Sequence, residues 1–267
     1  MIGCDREVLN KRRKELLELL QSEPEMSIAD MTDRLGVSPA TVRRDLNNLS
    51  NQGLIQRLRG GATISHPLGI EPSWGERNRE NIDKKRAIVR LALDAVEDGQ
   101  VVALDVGTTT LELARLLQMR SDLMVFTASV PISETLAMGR PTVYLVGGRV
   151  RPREMGVVGP LARDIIGRFH YDVFFLAAAG WSLEQGLMDF SIEDVEIKQA
   201  FMNSSNQVIA LVDSTKYGKT SLMSIAPLEE IDMVITDDQL PNAVRDQVSE
   251  VTTLRVAELG NGERGLG

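Results

Sequence analysis

Residues 38 to 49 have the sequence SPATVRRDLNNL, which carries the signals of a helix with one exposed polar face. Ser38 suits the N-cap position, and Pro39 suits the first helical position, where no backbone amide proton is required. The apolar residues recur at the spacing of one helix face, formed by Val42, Leu46 and Leu49. The opposite side therefore presents arginine, asparagine and hydroxyl groups that no core needs.

A second helix precedes this one, and a short turn separates the two. Ser27 with Asp30 three residues later is similar to a capping box, and Gly36 permits a tight turn at the end of the helix. The buried stripe of this helix consists of Ile28, Met31 and Leu35. Residues 6 to 20 predict a further helix that closes a three-helix core. Helix, glycine-containing turn and second helix form the helix-turn-helix pattern.

Residues 54 to 63 predict two short strands around a pair of glycines, a wing that carries Arg57 and Arg59. Each signal alone is weak, but together and in this order they indicate a winged helix-turn-helix domain. Its outer face can hydrogen-bond base edges and neutralise phosphate. We therefore predict DNA contacts from Ser38, Ala40, Thr41, Arg43, Arg44, Asn47, Asn48, Arg57 and Arg59.

The composition bounds the class of protein. The chain has 267 residues, 43% hydrophobic and 25% charged, which suits a globular protein with one large and one small domain. It has no apolar run of transmembrane length and no secretory signal, so we predict a cytoplasmic protein with no membrane partner. Cys4 is the single cysteine, and with only His66 and His170 a metal cluster is disfavoured. We expect no metal and no cofactor.

The net charge of −8 by itself argues against a nucleic-acid partner, but this charge is unevenly distributed along the chain. Residues 1 to 66 carry a net charge of +1, which leaves −9 for the rest of the chain. The positive charges of the first part cluster at residues 11 to 14, at Arg43 and Arg44, and in the wing. Such clustering is the electrostatic footprint of a small DNA-binding domain, although residues 11 to 14 also suit a solvated helix face.

The remainder of the chain predicts a separate α/β domain. We place the first domain at residues 1 to 63, a linker at 64 to 80, where two prolines break the periodicity, and the second domain at 81 to 259. Apolar runs that alternate with helical segments are typical of a mostly parallel sheet covered on both faces. The runs are Val101–Leu104, Met124–Phe126, Val143–Val146, Val173–Leu176, Val208–Val212 and Met233–Ile235.

Ligands gather at the carboxyl ends of parallel strands, so the residues after each run are binding candidates. Asp105–Thr110 follows the first run and opens a helix, where backbone amides and the helix dipole attract an anion. The alternative is a threonine-capped helix start with no ligand. Lys216 suits a phosphate and Asp213 a hydroxyl, the alternative being a plain turn, and Lys198 is ambiguous. The candidate set is Asp105, Gly107, Thr108, Thr109, Thr110, Thr127, Ser129, Gly147, Gly148, Lys198, Asp213 and Lys216.

Motifs in both regions resemble those of the DeoR family of bacterial transcriptional regulators. The matching elements are Val37-Ser38, Thr41–Leu46 and Gly60–Ala62 in the first domain, and Asp105–Thr110, Gly147-Gly148 and Asp213–Gly218 in the second. The chain departs from the family pattern at three places: Arg59 replaces a frequent histidine, Ala128 replaces an asparagine, and Ala177–Ala179 replaces a segment that more usually bears glycine and aspartate.

The resemblance implies a DNA-binding regulator, most simply a repressor of a carbohydrate operon, whose operator binding responds to a phosphorylated sugar. The family's sensor domain is similar to sugar-phosphate isomerases and deaminases, so an enzyme of that kind is one alternative. A DNA-binding protein controlled by a protein partner is another. Because neither histidine follows a strand of the sheet, and a winged helix has no role in such an enzyme, we expect no catalytic residues. Recognition of paired half-sites predicts a homo-oligomer, a dimer or a tetramer.

Overall fold

The computed structural model describes residues 12–13, 15–16, 19–20, 23, 25–51, 55–58, 60–64, 74–152 and 154–259. The chain divides into two compact units, Met1–Glu71 and Pro72–Gly267. Among the described residues, no helix combines the length and the apolar content that crossing a bilayer requires.

The first unit is a winged helix-turn-helix, as the sequence predicts. The two helices are α1 (Ile28–Leu35) and α2 (Pro39–Asn51), and the residues described between 12 and 20 are helical. Gly36 ends α1 in the left-handed conformation, with φ 62°. The predicted apolar face of α2 is buried in a core of Leu16, Leu20, Met31, Val42, Leu46 and Leu49.

The wing is a three-stranded sheet of β1 (Glu25–Ser27), β2 (Ile55–Leu58) and β3 (Gly61–Ile64). The sequence did not predict β1, because three residues directly before a helix are too few to show alternation. A Cβ at Gly61 would lie 2.2 Å from Met26 O, so the pairing of β1 with β3 requires glycine there.

Asp45 belongs to α2 but lies inside the unit, where it is 1% exposed. Arg12 Nε donates to Asp45 Oδ2 at 2.6 Å, and Arg13 Nε donates to Asp45 Oδ1 at 3.3 Å. A buried carboxylate requires such partners. The two arginines therefore tie the first helical segment to α2.

The second unit is built on a seven-stranded sheet in which every neighbouring pair is parallel. All six predicted apolar runs are strands. Their bounds are β4 (Val101–Leu104), β5 (Met124–Thr127), β6 (Thr142–Leu145), β9 (Tyr171–Ala177), β12 (Ser205–Leu211) and β14 (Met233–Asp237), and β15 (Thr253–Ala257) completes the sheet.

Both faces of this sheet are covered, which explains why its strands are apolar without alternation. Along β4, Val102 and Leu104 belong to one hydrophobic cluster, whereas Ala103 belongs to the cluster on the other face. The helices of the unit are α3 (Trp74–Arg79), α4 (Ile82–Ala92), α5 (Thr108–Leu117), α6 (Val130–Ala137), α7 (Pro160–Ile166), α8 (Ile192–Asn203) and α9 (Asn242–Ser249).

Several elements of the second unit were not predicted. Helix α3 occupies the end of the stretch assigned to the linker, and residues 65–73 of that stretch lie outside the described residues. Strand β15 escaped prediction because Arg255 interrupts its apolar residues. The short strands β7 (Arg149–Arg151), β8 (Gly156–Val158), β10 (Gly180–Ser182), β11 (Gly186–Asp189) and β13 (Met223–Ala226) form two antiparallel additions.

Replacing Asp45 by asparagine removes the charge from the bonds that hold the first helical segment to α2. Hydrogen bonds to a charged group contribute roughly 1.5–3 kcal/mol, so we expect a loss of about that size in the free energy that protects α2 from opening. Hydrogen exchange of the α2 amides measures it. The exposed Asp33→Asn on α1 is the matched control, and equal protection in the two variants would contradict the role of Asp45.

Candidate functional site

The outer face of α2 is exposed within the first unit. Ala40, Arg43, Arg44 and Asn47 are exposed, opposite the buried Val42. Ser38 Oγ caps the helix by accepting from Thr41 N at 3.2 Å, and the two hydroxyls of Ser38 and Thr41 are 2.9 Å apart. Among the predicted DNA contacts, some side chains are therefore exposed on the helix face, whereas Ser38 and Thr41 form the N-terminal cap of α2.

Arg57 of the wing contacts α2 directly. Its Nη1 donates to Asn47 Oδ1 at 2.9 Å and to Arg43 O at 3.3 Å. Asn48 Nδ2 donates to Arg44 O at 2.9 Å, so that side chain is occupied within the helix. Arg59, the other predicted wing residue, lies outside the described residues.

Burial of Asp45 also shapes the electrostatics of α2. The helix contains one carboxylate, and that carboxylate is buried and paired with Arg12 and Arg13. The exposed face of α2 consequently carries the positive charges of Arg43 and Arg44 alone. The basic cluster at residues 11 to 14 is thus in part a structural element, with Lys11 and Lys14 outside the described residues.

The second candidate site lies where the order of the parallel sheet reverses. From β4 the chain continues to β5 and β6 on one side, and then to β9, β12, β14 and β15 on the other. Such a switch point opens a crevice at the carboxyl ends of the strands. Asp105 follows β4 at this point, and Ala177 ends β9.

Asp105 holds the two strand ends together. Its Oδ2 accepts from Ala177 N at 2.9 Å, and its Oδ1 accepts from Val106 N at 2.7 Å. Gly107 must be glycine, because a Cβ there would lie 2.6 Å from Ala177 Cβ. The close approach therefore explains the small side chain of Ala177, in the segment Ala177–Ala179 that departs from the family pattern.

Lys198 is buried beside Asp105, with 2% of its side chain exposed. Its Nζ donates to Asp105 Oδ2 and to Ala177 O at 3.0 Å, and it forms an ion pair with Asp189 Oδ2 at 3.1 Å. Burial opposes the charged form, but Asp105 and Asp189 outweigh it and raise the pKa of Lys198 above its usual value. Burial raises the pKa of Asp105, and the positive charge of Lys198 opposes that rise. The charge of this ammonium is therefore compensated by two carboxylates within the protein.

Several other candidate residues have structural partners. Thr110 Oγ1 donates to Asp105 O at 2.8 Å, Thr127 Oγ1 donates to Leu104 O at 2.8 Å, and Ser129 Oγ caps α6 by accepting from Ile132 N at 3.4 Å. Gly147 and Gly148 precede β7, and a Cβ at Gly148 would meet Val158 O at 2.9 Å. These positions shape the backbone around the site, and their role as ligand contacts stays a prediction.

Lys216 and Lys85 are ammonium groups that have no carboxylate partner among the described residues. Lys216 Nζ donates to Ala178 O at 2.5 Å, and Lys85 Nζ donates to Arg77 O. Burial, and then the neighbouring Lys216, lower the pKa of Lys85 to about 8. Burial also lowers the pKa of Lys216. Two desolvated cations side by side favour the arrival of an anion.

Asp213 lies beside this cation pair and is 1% exposed. Its Oδ1 accepts from Thr215 N at 3.0 Å, whereas its Oδ2 is buried and has no partner among the described residues. Behind it, Lys84 Nζ donates to Ser214 Oγ at 2.7 Å and to Asp237 Oδ1 at 3.0 Å. These bonds fix the turn that carries Lys216.

Arg77 is the link between the cation pair and the start of α5. Its carbonyl oxygen accepts from Lys85 Nζ and from Thr108 Oγ1, the latter at 3.4 Å. Its guanidinium pairs with Glu154, which is 3% exposed. The carbonyl oxygen of Arg77 is thus a common acceptor for two helices, with Lys85 donating from α4 and Thr108 from α5.

Sequence reasoning missed four of these residues as site components: Arg77, Lys85, Glu154 and Asp189. A signal existed for Lys85, because it shares one face of α4 with Ile88, Val89 and Ala92 at i+3, i+4 and i+7. A lysine on an apolar face is buried and needs a partner. Among the described residues, no group of histidine, cysteine and carboxylate side chains is suited to a metal.

Comparison with known proteins decides the family. A family model for the DeoR-like helix-turn-helix domain matches residues 12–67, and one for the DeoR C terminal sensor domain matches residues 80–238. The chain belongs to the DeoR family. It is a DNA-binding transcriptional regulator and not an enzyme, since the relatives to which it is similar over most of its length are regulators.

Three relatives cover nearly the whole chain. The HTH-type transcriptional regulator GlpR of Haloferax volcanii is 34% identical over 89% of this chain and 93% of its own. GolR of Listeria innocua is 32% identical over 88% and 92%. The glycerol-3-phosphate regulon repressor of Escherichia coli is 28% identical over 90% and 95%.

Among solved structures the likeness is more distant. A ribose 5-phosphate isomerase from Methanocaldococcus jannaschii aligns with a TM-score of 0.40 at 16% identity, over 52% of this chain and 55% of its own. RipA from Yersinia pestis aligns with a TM-score of 0.43 at 15% identity, over 65% and 50%. A likeness of this degree carries no argument about function.

The lowered pKa of Lys85 predicts how anion binding depends on pH. Sulfate keeps its charge between pH 7 and 9, while a lysine with a pKa of about 8 falls from about 90% to about 10% protonated over that interval. Because a bound anion favours the charged lysine, sulfate affinity should fall about tenfold from pH 7 to pH 9. Isothermal calorimetry measures the profile. Lys85→Arg should flatten it, and a flat wild-type profile would contradict the assignment.

Proposed function

We propose that the regulator senses a phosphorylated sugar at the carboxyl edge of the sheet. The observation that carries this proposal is the pair of desolvated ammonium groups, Lys85 and Lys216, which meet backbone carbonyls and no carboxylate. Burial lowers the pKa of both lysines even though neighbouring carboxylates such as Asp213 act in the opposite direction, so a phosphate beside the two ammonium groups removes part of their desolvation penalty. The backbone amides at the start of α5, from Gly107 to Thr110, supply further donors to the same anion.

The sugar part of the ligand has an acceptor in Asp213. Its buried Oδ2 has no partner within the described chain, and a ligand hydroxyl would satisfy it. Asp213 is next to Lys216 in the same turn, so one molecule that carries a phosphate and a nearby hydroxyl contacts both. The hydroxyl of Thr109 makes no bond to another described residue and is a further candidate contact.

We propose that the exposed face of α2 reads an operator, with Arg43 and Arg44 as its base- or phosphate-contacting residues. Both are exposed, and Arg57 and Asn47 are oriented beside them. The names of two relatives, the glycerol-3-phosphate regulon repressor and the putative aga operon transcriptional repressor of Escherichia coli, support repression of a carbohydrate operon. Such a regulator acts where the chromosome is, in the cytoplasm.

We propose further that the protein works as a homo-oligomer, a dimer or a tetramer. One recognition helix contacts a single half-site, and pairing of two subunits places a second helix about 10 base pairs, or a multiple of that spacing, away. Operators should therefore contain two related half-sites. Sedimentation that shows a monomer bound tightly to a single half-site would exclude this arrangement.

Substituting either arginine of α2 tests the DNA-binding proposal. Arg43→Ala and Arg44→Ala should each weaken specific operator binding about 5- to 150-fold and leave the fold intact, because each arginine is exposed and a bidentate base contact contributes roughly 1–3 kcal/mol. Titrations of operator and unrelated DNA at several salt concentrations separate the roles. A phosphate contact weakens both DNAs equally and lowers the salt slope by about one. Wild-type affinity in both variants would contradict the interface.

A double variant tests the effector proposal. Thr109→Ala with Lys216→Ala should keep operator affinity, since both residues lie in the second unit, and should lose the response to sugar phosphates. The measurement is operator binding with and without glycerol 3-phosphate, ribose 5-phosphate and their unphosphorylated counterparts. The unphosphorylated compounds should have little effect on the wild type. A normal response in the double variant, or turnover of a compound by the wild type, contradicts a sensor site here.

A further inference from the structure

Helix α3 is the first element of the second unit and begins three residues after the boundary at Glu71. It has six residues, and a helix of that length has little stability alone. Contacts with the rest of the second unit must therefore hold it in place. Those contacts come from the residues of the proposed effector site and their neighbours.

Three kinds of contact anchor α3. Trp74 packs against the hydrophobic cluster on one face of the sheet, and the guanidinium of Arg77 lies 5.8 Å from the centre of its ring. The same guanidinium pairs with the buried Glu154. The carbonyl oxygen of Arg77 accepts from Lys85 and Thr108. Arg77 thus takes part in each kind.

An anion at the proposed site competes for two of these anchors. Thr108 has a single hydroxyl proton, so it cannot donate to the anion and to Arg77 O at once. Arg77 is adjacent to this site, because its carbonyl oxygen accepts from both Lys85 and Thr108. Burial is the main cause of the lowered pKa of Lys85 and of Lys216, and the nearby positive charge of Arg77 adds to it. A phosphate there attracts Arg77 and competes with Glu154 for it.

We propose that Arg77 transmits effector binding to the DNA-binding unit. In the free protein Glu154 and the donors on Arg77 O anchor α3, and the bound anion draws those donors and the guanidinium to itself. The anchoring of α3 then changes, and α3 is connected to the winged helix through the chain that precedes Trp74. This inference rests on the proposed sugar-phosphate site and adds how that site regulates operator binding.

The test uses Glu154→Gln in the full-length protein, with Glu193→Gln as the matched control. Glu193 forms an exposed ion pair with Arg149, so its substitution removes the same charge without touching α3. Calorimetry with glycerol 3-phosphate, ribose 5-phosphate and inorganic phosphate measures binding, and operator titrations with and without each compound measure coupling. In a coupled system, one ligand typically changes the affinity for the other about 5- to 150-fold. We expect the effect of the compound on operator affinity to lie in that range for the wild type and for Glu193→Gln.

Glu154→Gln should bind the phosphate compounds at least as tightly as the wild type, because the Glu154 carboxylate no longer competes with the anion for the guanidinium of Arg77. Its operator affinity should change little when the compound is added, since α3 has already lost the anchor. Normal coupling in Glu154→Gln would overturn the role of Arg77 while leaving the sensor site standing. If no phosphate compound binds the wild type, the proposed function fails and this inference fails with it.

Hydrogen exchange on the wild type supplies a second readout that needs no variant. Addition of a binding phosphate compound should change the exchange of amides in α3 and leave those of α9, on another part of the unit, as they were. Unchanged exchange in α3 at saturating compound would overturn the proposal even if Glu154→Gln fails to fold.

Discussion

The second unit depends on one buried ammonium group. Lys198 reaches from α8 to the point where the strand order reverses, and there it neutralises Asp105 and Asp189 and bonds to Ala177 O. Asp105 in turn fixes the ends of β4 and β9 through backbone amides. Removal of one partner from such a buried group costs roughly 3–5 kcal/mol. The crevice at the switch point is therefore held rigidly, which a binding site for a small ligand requires.

The same principle of charge burial distinguishes the two kinds of lysine in the unit. Lys198 has two carboxylate partners and serves the architecture, whereas Lys85 and Lys216 have carbonyl partners and retain a demand for negative charge. In the winged helix the paired group is an anion: Arg12 and Arg13 neutralise the buried Asp45. The exposed face of α2 therefore keeps its positive charge. In both units, pairing inside the protein decides which charges remain for a ligand.

Much of this architecture could be predicted from the sequence, because the deciding signals are local. The period of Val42, Leu46 and Leu49 defines α2, and near-continuous apolar runs define six of the seven parallel strands. The positions of Asp105 and Lys216 directly after apolar strands made them candidates, and the family motifs agreed. The sequence could not separate Lys198 from Lys216, since the difference is whether residues distant in sequence, such as Asp105 and Asp189, lie within bonding distance. Arg77 and Glu154 were missed for the same reason: their pairing spans 77 positions.

The central claim is that an anion at the Lys85–Lys216 pair and DNA on α2 act on one another. Coupling between two sites is reciprocal, so it is visible from the effector side without any variant. The most direct measurement is calorimetric titration of a binding sugar phosphate, with glycerol 3-phosphate as the first probe, into the free protein and into its operator complex at the same salt concentration. The account predicts that the two affinities differ by about 5- to 150-fold. Equal affinities for the free and the operator-bound protein would contradict it.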